Sequence, residues 1–402
     1  MTGIVVVGGG QAAASLVARL RSRGFDGAIT LIGNEPVPPY QRPPLSKGYL
    51  LGEMARERLY LRPDSYYAEQ DIDLHLAQPV TGIDRAARTV TAGGQDIAYD
   101  KLALCTGSVP RRLPAAIGGD LSGVHVVRTL ADVDAMAPDC QPGRRVLIVG
   151  GGYIGLEAAA VCAKLGMRVT LIEAAPRILQ RVASEQTSEY FRALHKAHGV
   201  DLREGVGLTR LLGETHVTGA ELTDGTTLDV DLCIVGIGIA PATALAEAAG
   251  LTIDNGIAVD AQGRTSDPAI WAAGDCAAFP HQGGRMRLES VGNAIDMGEL
   301  VADTMLGDDR AYVPKPWFWS DQYDVKLQIA GLSTGYDQVV TRKGADGAVS
   351  FWYYATGRLI ALDAMNESRS YMVAKRLIEA GRSADPQAVA DPATELKSLL
   401  KG

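Results

Sequence analysis

The residues with the clearest chemical meaning are glycines. Gly150, Gly152 and Gly155 follow the pattern G-x-G-x-x-G between the apolar run "VLIV" and the apolar stretch "GLEAAAV". Such a turn, after a strand and before a helix, holds the pyrophosphate of a dinucleotide. The first glycine permits the turn, the second lets the phosphates approach the backbone, and the third lets helix and strand pack closely. The helix N-terminus then faces the phosphates. Glu173 closes the next strand-like run, "RVTLIE". A carboxylate there accepts hydrogen bonds from the ribose hydroxyls and repels a 2′-phosphate, which favours NADH over NADPH. Arg177 and Arg181 follow closely and weaken that preference.

The chain opens with a second copy. Gly8, Gly10 and Ala13 follow "IVVV", and alanine is an accepted third member of the pattern. Here the strand runs into Gly33-Asn34-Glu35, so the acid arrives two residues later than Glu173 does. Two such turns in one chain suggest two different dinucleotides. FAD and NADH are the natural pair, because one can pass a hydride to the other.

The elements that must carry these turns read as two βαβ units. Each copy runs strand, turn, helix, glycine stop (Gly24 or Gly166) and second strand, "AITLIG" or "RVTLIE". Continuous apolar strands of this kind belong to buried parallel sheets. Each unit leads on to a further apolar strand ending in a glycine turn, "YDKLALCTGSVPR" and "VDLCIVGIGIAP". "AIWAAGDCAAF" is a strand ending at Gly274-Asp275. The composition changes at "YVPKPWFW". Hairpin-like runs follow, "KLQIAGLS" and "VSFWYYATGRLIALDAMN", then a helix around Tyr371–Ala380. The last twenty residues are rich in Ala, Asp and Pro and are expected to be loosely held up to a short terminal helix. The expected organisation is α/β: an FAD-binding domain from 1–111 and 242–312, an NAD-binding domain from 112–241, and a C-terminal α+β domain from 313–402.

Bulk properties exclude several classes. The chain has 402 residues, 47% of them hydrophobic and 21% charged, which suits a globular protein of two or three domains. Its net charge of −8 argues against nucleic-acid or anionic-membrane partners. Strand-like sequence from Gly3 leaves no room for a signal peptide, and no run of about 18 apolar residues is present. The five cysteines have neither C-x-x-C nor zinc spacing, so no metal and a reduced, cytoplasmic setting are expected. His195 and His198, in "HKAHG", read as an exposed helix face. Glu157 is the odd residue. A carboxylate among Leu156 and Ala158–Val161 needs either a partner or a solvent-facing position.

Taken together, "PPYQRPPLSKGYL", "TGSVPR", "GGGYIGLE", "TSDPAIWAAGDCA", "RLESVGNA" and "PWFWSDQY" resemble the NADH-dependent ferredoxin reductases of bacterial cytochrome P-450 and dioxygenase systems. The resemblance spans nearly the whole chain. It implies a glutathione-reductase-like flavoprotein with two Rossmann-like domains and a C-terminal α+β domain. It places Lys47 beside the flavin N5, ion-paired with Glu157, and Arg42 near the FAD pyrophosphate. Asp275 would bind the ribityl chain, and Val291 the flavin ring through its backbone. Ala12, Val80, Thr106, Gly107 and Arg128 would be further FAD contacts, and Trp319 would lie near the flavin where the acceptor docks. On the NAD side it adds Ile154, Gly236 and Gly238, with Tyr153 as a ring that moves when NADH binds. Cys105 stands where alanine is common and is given no redox role.

The resemblance also narrows the electron acceptor. Related enzymes that reduce disulfides, coenzyme-A disulfide or oxygen use active cysteines, but Lys47–Leu59 contains none. Electrons would therefore pass to an external [2Fe–2S] ferredoxin. Residues 313–402 carry eleven Lys and Arg against ten Asp and Glu, so the acidic excess lies in the preceding chain. Arg310, Lys315, Arg342, Lys343, Arg369, Lys375 and Arg376 are candidates for an acidic ferredoxin's docking patch. The chain would act as a monomer or a homodimer. The alternatives are a rubredoxin or monodehydroascorbate reductase, or an NADH-sensing flavoprotein of slow turnover.

Overall fold

The structure, a computed structural model, describes residues 3–401. It divides into two compact units. The first comprises the chain through Arg42, then Ala55–Val109 and Ile239–Pro316. Its centre is a parallel five-stranded sheet in the order Ile270–Ala272, Lys101–Leu104, Gly3–Val7, Ala28–Ile32, Ile72–His75. Ile4, Val6, Leu31 and Leu102 are fully enclosed, as strands covered on both faces require. The Gln11–Ser22 and Val291–Met305 helices pack together over this core. Gly298 permits the close approach, since a Cβ there would sit 2.4 Å from the Ala12 carbonyl oxygen. Arg19 fastens the same two helices with a bidentate bond to buried Asp303, at 2.8 and 2.9 Å.

The second unit comprises Pro43–Met54, Pro110–Gly238 and the chain from Trp317 onward. Its parallel sheet has the order Asp201–Glu204, Arg168–Glu173, Arg145–Val149, Leu232–Val235, Val124–His125. This is the second βαβ architecture, with the Tyr153–Lys164 helix following the central strand. The same unit contains an antiparallel five-stranded sheet from Trp317 to Met365, covered by the Ser368–Glu379 helix. Pro43–Met54 groups with this unit by contact, although the chain on either side of it lies in the first.

The C-terminal segment differs from expectation. Val389 and Leu399 are buried in the core of the antiparallel sheet, and Asp385 caps the Pro386–Ala390 helix. Arg342 is buried and donates to the carbonyls of Val389, Asp391 and Thr394 at 3.0, 2.8 and 2.7 Å. A guanidinium surrounded by carbonyl acceptors binds an otherwise irregular tail, so these residues are held rather than loose. For the same reason Arg342 is unavailable to a docking surface. Among the described residues, no helix is long and apolar enough to cross a membrane.

Candidate active site

Both glycine turns have the form their sequence demands. Gly150 has φ +110°, and a Cβ there would meet the Gly236 carbonyl oxygen at 2.4 Å. A Cβ at Gly155 would lie 2.0 Å from the Gly150 oxygen. Gly152 is different: among the described residues, nothing lies within 4 Å of a Cβ built on it. It is the N-cap of Tyr153–Lys164, without a side-chain cap and with no acid in the first turn. The first unit repeats this arrangement. Gly8 has φ +124° and is crowded by the Cys105 carbonyl, Ala13 is fully buried, and Gly10 opens onto free space as an uncapped N-cap. An open concavity edged by unsatisfied helix N–H groups fits a pyrophosphate. The residues present therefore fit two dinucleotides.

The acids beside the turns differ. Glu173 accepts from the N–H groups of Gly151 and Ala175, each at 2.7 Å, so the carboxylate is pinned at the edge of its turn. Arg177 turns inward, donating to Ser188 Oγ at 2.5 Å and the Ala183 carbonyl at 2.9 Å. Arg181 is exposed. In the first unit Asn34 is exposed, whereas Glu35 accepts from Tyr40 Oη at 2.7 Å and pairs with Arg42 at 2.6 Å. Arg42, expected near phosphate, thus already has a carboxylate partner.

Thr106, Gly107 and Asp275, further candidates of the first unit, lie close to the end of the Lys101–Leu104 strand. Thr106 Oγ1 donates to the Ala242 carbonyl at 2.7 Å, and the Gly107 carbonyl accepts from Ala242 N at 2.9 Å. Ser108 Oγ donates to Asp275 Oδ2 at 2.9 Å. Gly274, at φ +80°, lies against Ala12 of the first helix. Val291 is the first residue of a helix capped by Ser290. Val80 packs against the core of this unit.

In the second unit, Gly236 lies beside Gly155, and Gly238, at φ +97°, accepts from Arg111 N. Arg128 is half-buried ahead of the Leu130–Met136 helix. Ile154 is exposed. Tyr153 rests against Phe318 at 4.9 Å between centroids. Its hydroxyl is buried without a hydrogen-bond partner among the described residues, and burial raises its pKa well above the usual phenol value. Trp319 stacks on Trp317.

Glu157 resolves the question its sequence raised. It is only 1% exposed, and it has partners. Lys47 Nζ lies 2.7 Å from Oε2, Ser46 Oγ donates to Oε2 at 2.6 Å, and Ser320 Oγ donates to Oε1 at 2.7 Å. Lys47 also donates to the Pro43 carbonyl at 3.2 Å and remains 17% exposed. A buried carboxylate with one cation and two hydroxyl donors is satisfied on both oxygens. It holds a partly accessible ammonium at a defined place.

Two supporting residues are not legible in the sequence. Ser46 hides inside "RPPLSK", and Ser320 in a strand noted only for its tryptophans. For Ser320 the signal is period two: Ser320 and Gln322 are buried while Asp321 between them is not. The histidines need a correction. His195 is fully buried, bonded to Gln322 Oε1 at 2.8 Å and Tyr323 Oη at 3.1 Å, while only His198 lies on the exposed face. The helix is amphipathic, with Phe191 and His195, four apart, on its buried side.

Comparison with known proteins agrees with this geometry. The family described as "Pyridine nucleotide-disulphide oxidoreductase" matches residues 2–298, and "Reductase C-terminal" matches 317–400. A ferredoxin–NAD(P)(+) reductase of Sphingomonas sp. is 46% identical over 99% of this chain and 97% of its own length. Putidaredoxin reductase of Pseudomonas putida is 38% identical over 99% and 96%. The crystal structure of the covalent putidaredoxin reductase–putidaredoxin complex matches with TM-score 0.96 at 38% identity, covering 100% of this chain and 98% of that one.

Proposed function

Since the chain belongs to the pyridine nucleotide-disulphide oxidoreductase family and also carries a reductase C-terminal domain, we propose that it is an FAD-dependent NADH:ferredoxin oxidoreductase. Its acceptor is a [2Fe–2S] ferredoxin that feeds a cytochrome P-450 or another oxygenase. The observation that carries the reading is the pair of open glycine cradles, one in each compact unit, on a chain whose Lys47–Leu59 segment has no cysteine. Bound FAD supplies the conversion of one hydride into two single electrons.

The remaining work falls to the chain. Gly8, Gly10 and the first turn of Gln11–Ser22 receive the FAD pyrophosphate, with Ala12, Thr106, Gly107, Asp275 and Val291 around the flavin and Asn34, Glu35, Arg42, Val80 and Arg128 completing the FAD contacts. Gly150, Gly152 and the first turn of Tyr153–Lys164 receive NADH, together with Ile154, Gly236 and Gly238. Glu173 accepts from the ribose hydroxyls, with Arg181 at the rim. Lys47, held by Glu157, is the cation that meets negative charge developing on the flavin. Tyr153 yields its place to the nicotinamide, and Trp319 covers the flavin. An acidic ferredoxin docks near Arg310 and the C-terminal domain, guided by long-range charge. The cytoplasm is the compartment that suits such partners and five unpaired, buried cysteines.

The test uses the purified holoprotein. It should be yellow, bleach with NADH, and reduce cytochrome c rapidly only when a [2Fe–2S] ferredoxin is added. A protein that takes up no flavin on reconstitution would sink the reading. Preference for rubredoxin or monodehydroascorbate in an acceptor panel would reassign the partner.

A further inference from the structure

Glu157 is the end of a longer line of polar groups, all within the second compact unit. Ser320 and Gln322 occupy alternate positions of the Trp317–Gln322 strand, and both are fully buried. Gln322 Nε2 lies 3.1 Å from Ser320 Oγ, and Gln322 Oε1 lies 2.8 Å from His195 Nε2. His195 Nδ1 is 3.1 Å from the Tyr323 hydroxyl. The Tyr323 ring stacks on the exposed His198 at 3.6 Å.

The direction of every bond follows from the ion pair. A carboxylate facing Lys47 only accepts, so the single proton of Ser320 goes to Glu157 Oε1. Ser320 Oγ then offers Gln322 nothing but lone pairs. The amide nitrogen must therefore face Ser320, and the amide oxygen must face His195. That oxygen accepts, so the imidazole carries its proton on Nε2. Nδ1 is left as an acceptor and takes the Tyr323 hydroxyl proton. Burial lowers the His195 pKa to about 4, so near neutral pH the ring has a single N–H to place. Each group has one role, and all the donors point toward Glu157.

We propose that Gln322, anchored by His195, is a positioning residue for the reaction: it locks Ser320 as a donor to Glu157 and thereby holds Glu157 on Lys47. The proposal rests on the reading of Lys47 as the cation that serves the flavin. Without the Gln322 N–H, Ser320 Oγ loses the donor that fixes its rotamer, and its hydroxyl is freer to turn away from Glu157. Glu157 Oε1 then loses its only donor among the described residues, and the carboxylate, held by Ser46 and Lys47 through Oε2 alone, is freer to swing out of line. The packed strand would survive, but the ammonium would lose its fixed place.

The experiment is stopped-flow reduction of the holoenzyme by NADH in Gln322→Met, Ser320→Ala and the double variant. Gln322→Met keeps the side-chain length and removes both hydrogen-bonding groups. Its limiting reduction rate should fall about tenfold, the worth of a hydrogen bond to a charged group. The Kd for NADH should stay unchanged. Adding Gln322→Met to Ser320→Ala should cost nothing more, because the effect runs through Ser320. Ser320→Thr should retain most of the rate. A wild-type rate in Gln322→Met overturns the proposal. So does an independent, multiplying loss in the double variant, which marks a general packing defect.

A second readout needs no turnover. Nitrogen NMR of His195 in the oxidised protein should report the Nε2-protonated tautomer in wild type. Ser320→Ala should give a mixture, since its Gln322 amide is free to flip. An Nδ1-protonated ring in wild type overturns the proposal. If instead Lys47→Met is reduced at the wild-type rate while His195 responds as expected, the reading of Lys47 fails and the directed chain stands.

Discussion

In the proposed reaction Lys47 is the cation that serves the flavin, and its position is set by Glu157 rather than by its own flexible stem. Lys47→Met leaves a buried carboxylate with two hydroxyl donors and no cation. The limiting rate of flavin reduction should fall by about tenfold or more, in the range of a lost electrostatic stabiliser. Stopped-flow absorbance measures it, and a wild-type rate removes Lys47 from the site. Glu173 sits against the Gly151 N–H, where a ribose would be read. Glu173→Ala should shrink the preference for NADH over NADPH by about tenfold, roughly one charge-assisted hydrogen bond. The ratio of kcat/KM for the two cofactors reports it. Two other buried groups titrate in opposition. Burial raises Asp363 to about 6, although hydrogen bonds from Thr187 and Tyr353 oppose the shift. Between about 4 and 6 the folded chain binds a proton there that the unfolded chain does not, so this contribution to stability is lost as pH rises. His195, lowered to about 4, refuses a proton that the unfolded chain accepts, so its contribution is lost as pH falls from about 6.5 to 4. In Asp363→Asn only the histidine slope remains. The Tm of that variant should drop more steeply than that of wild type as pH falls across this window.

At the scale of elements, the glycine turns separate folding from binding. Gly155 packs helix against strand, while Gly152 only keeps space open. Gly155→Ala should lower Tm markedly, because its Cβ would lie 2.0 Å from a backbone oxygen that cannot move aside. Gly152→Ala should keep a near-normal Tm and raise the KM for NADH, because its Cβ occupies the space a pyrophosphate needs. Calorimetry and steady-state kinetics on the two variants test the distinction. Equal losses of Tm would mean that the turn is packed rather than open. The Trp317–Gln322 strand divides its work in a comparable way. Its alternation puts Trp317 and Trp319 together on one face and Ser320 with Gln322 on the other. A single strand thereby contributes an aromatic stack and the support of Glu157.

At the scale of the molecule, charge and closure of the C-terminal region matter most. Arg310 is largely exposed and lies 2.9 Å from Asp303, which also holds Arg19. Arg310→Glu should raise the KM for ferredoxin several-fold at low ionic strength and flatten its dependence on salt. Reduction of ferricyanide, which needs no docked protein, is the control. Arg342 belongs to the opposite class. Arg342→Met strips the tail carbonyls of their donor, so it should lower Tm while leaving the salt dependence of ferredoxin reduction as in wild type.

Much of this protein is written locally. The glycine turns, the flanking apolar strands and the acid closing "RVTLIE" are short-range patterns, because a tight turn, a buried strand and a helix start each depend on a few neighbouring residues. They suffice for two βαβ units and two dinucleotides, and six segments from "PPYQRPPLSKGYL" to "PWFWSDQY", taken together, carry the family resemblance. The partners of Glu157 were another matter. Ser46, Lys47 and Ser320 lie 111, 110 and 163 residues away from it in the chain. No local pattern predicts which distant hydroxyl reaches a buried carboxylate, or that His195 turns inward while His198 stays outside. Nor does composition reveal that Arg342 is spent on its own tail. Those assignments depend on long-range packing, where burial makes an unpaired polar group costly and so selects the partner that the fold brings within reach.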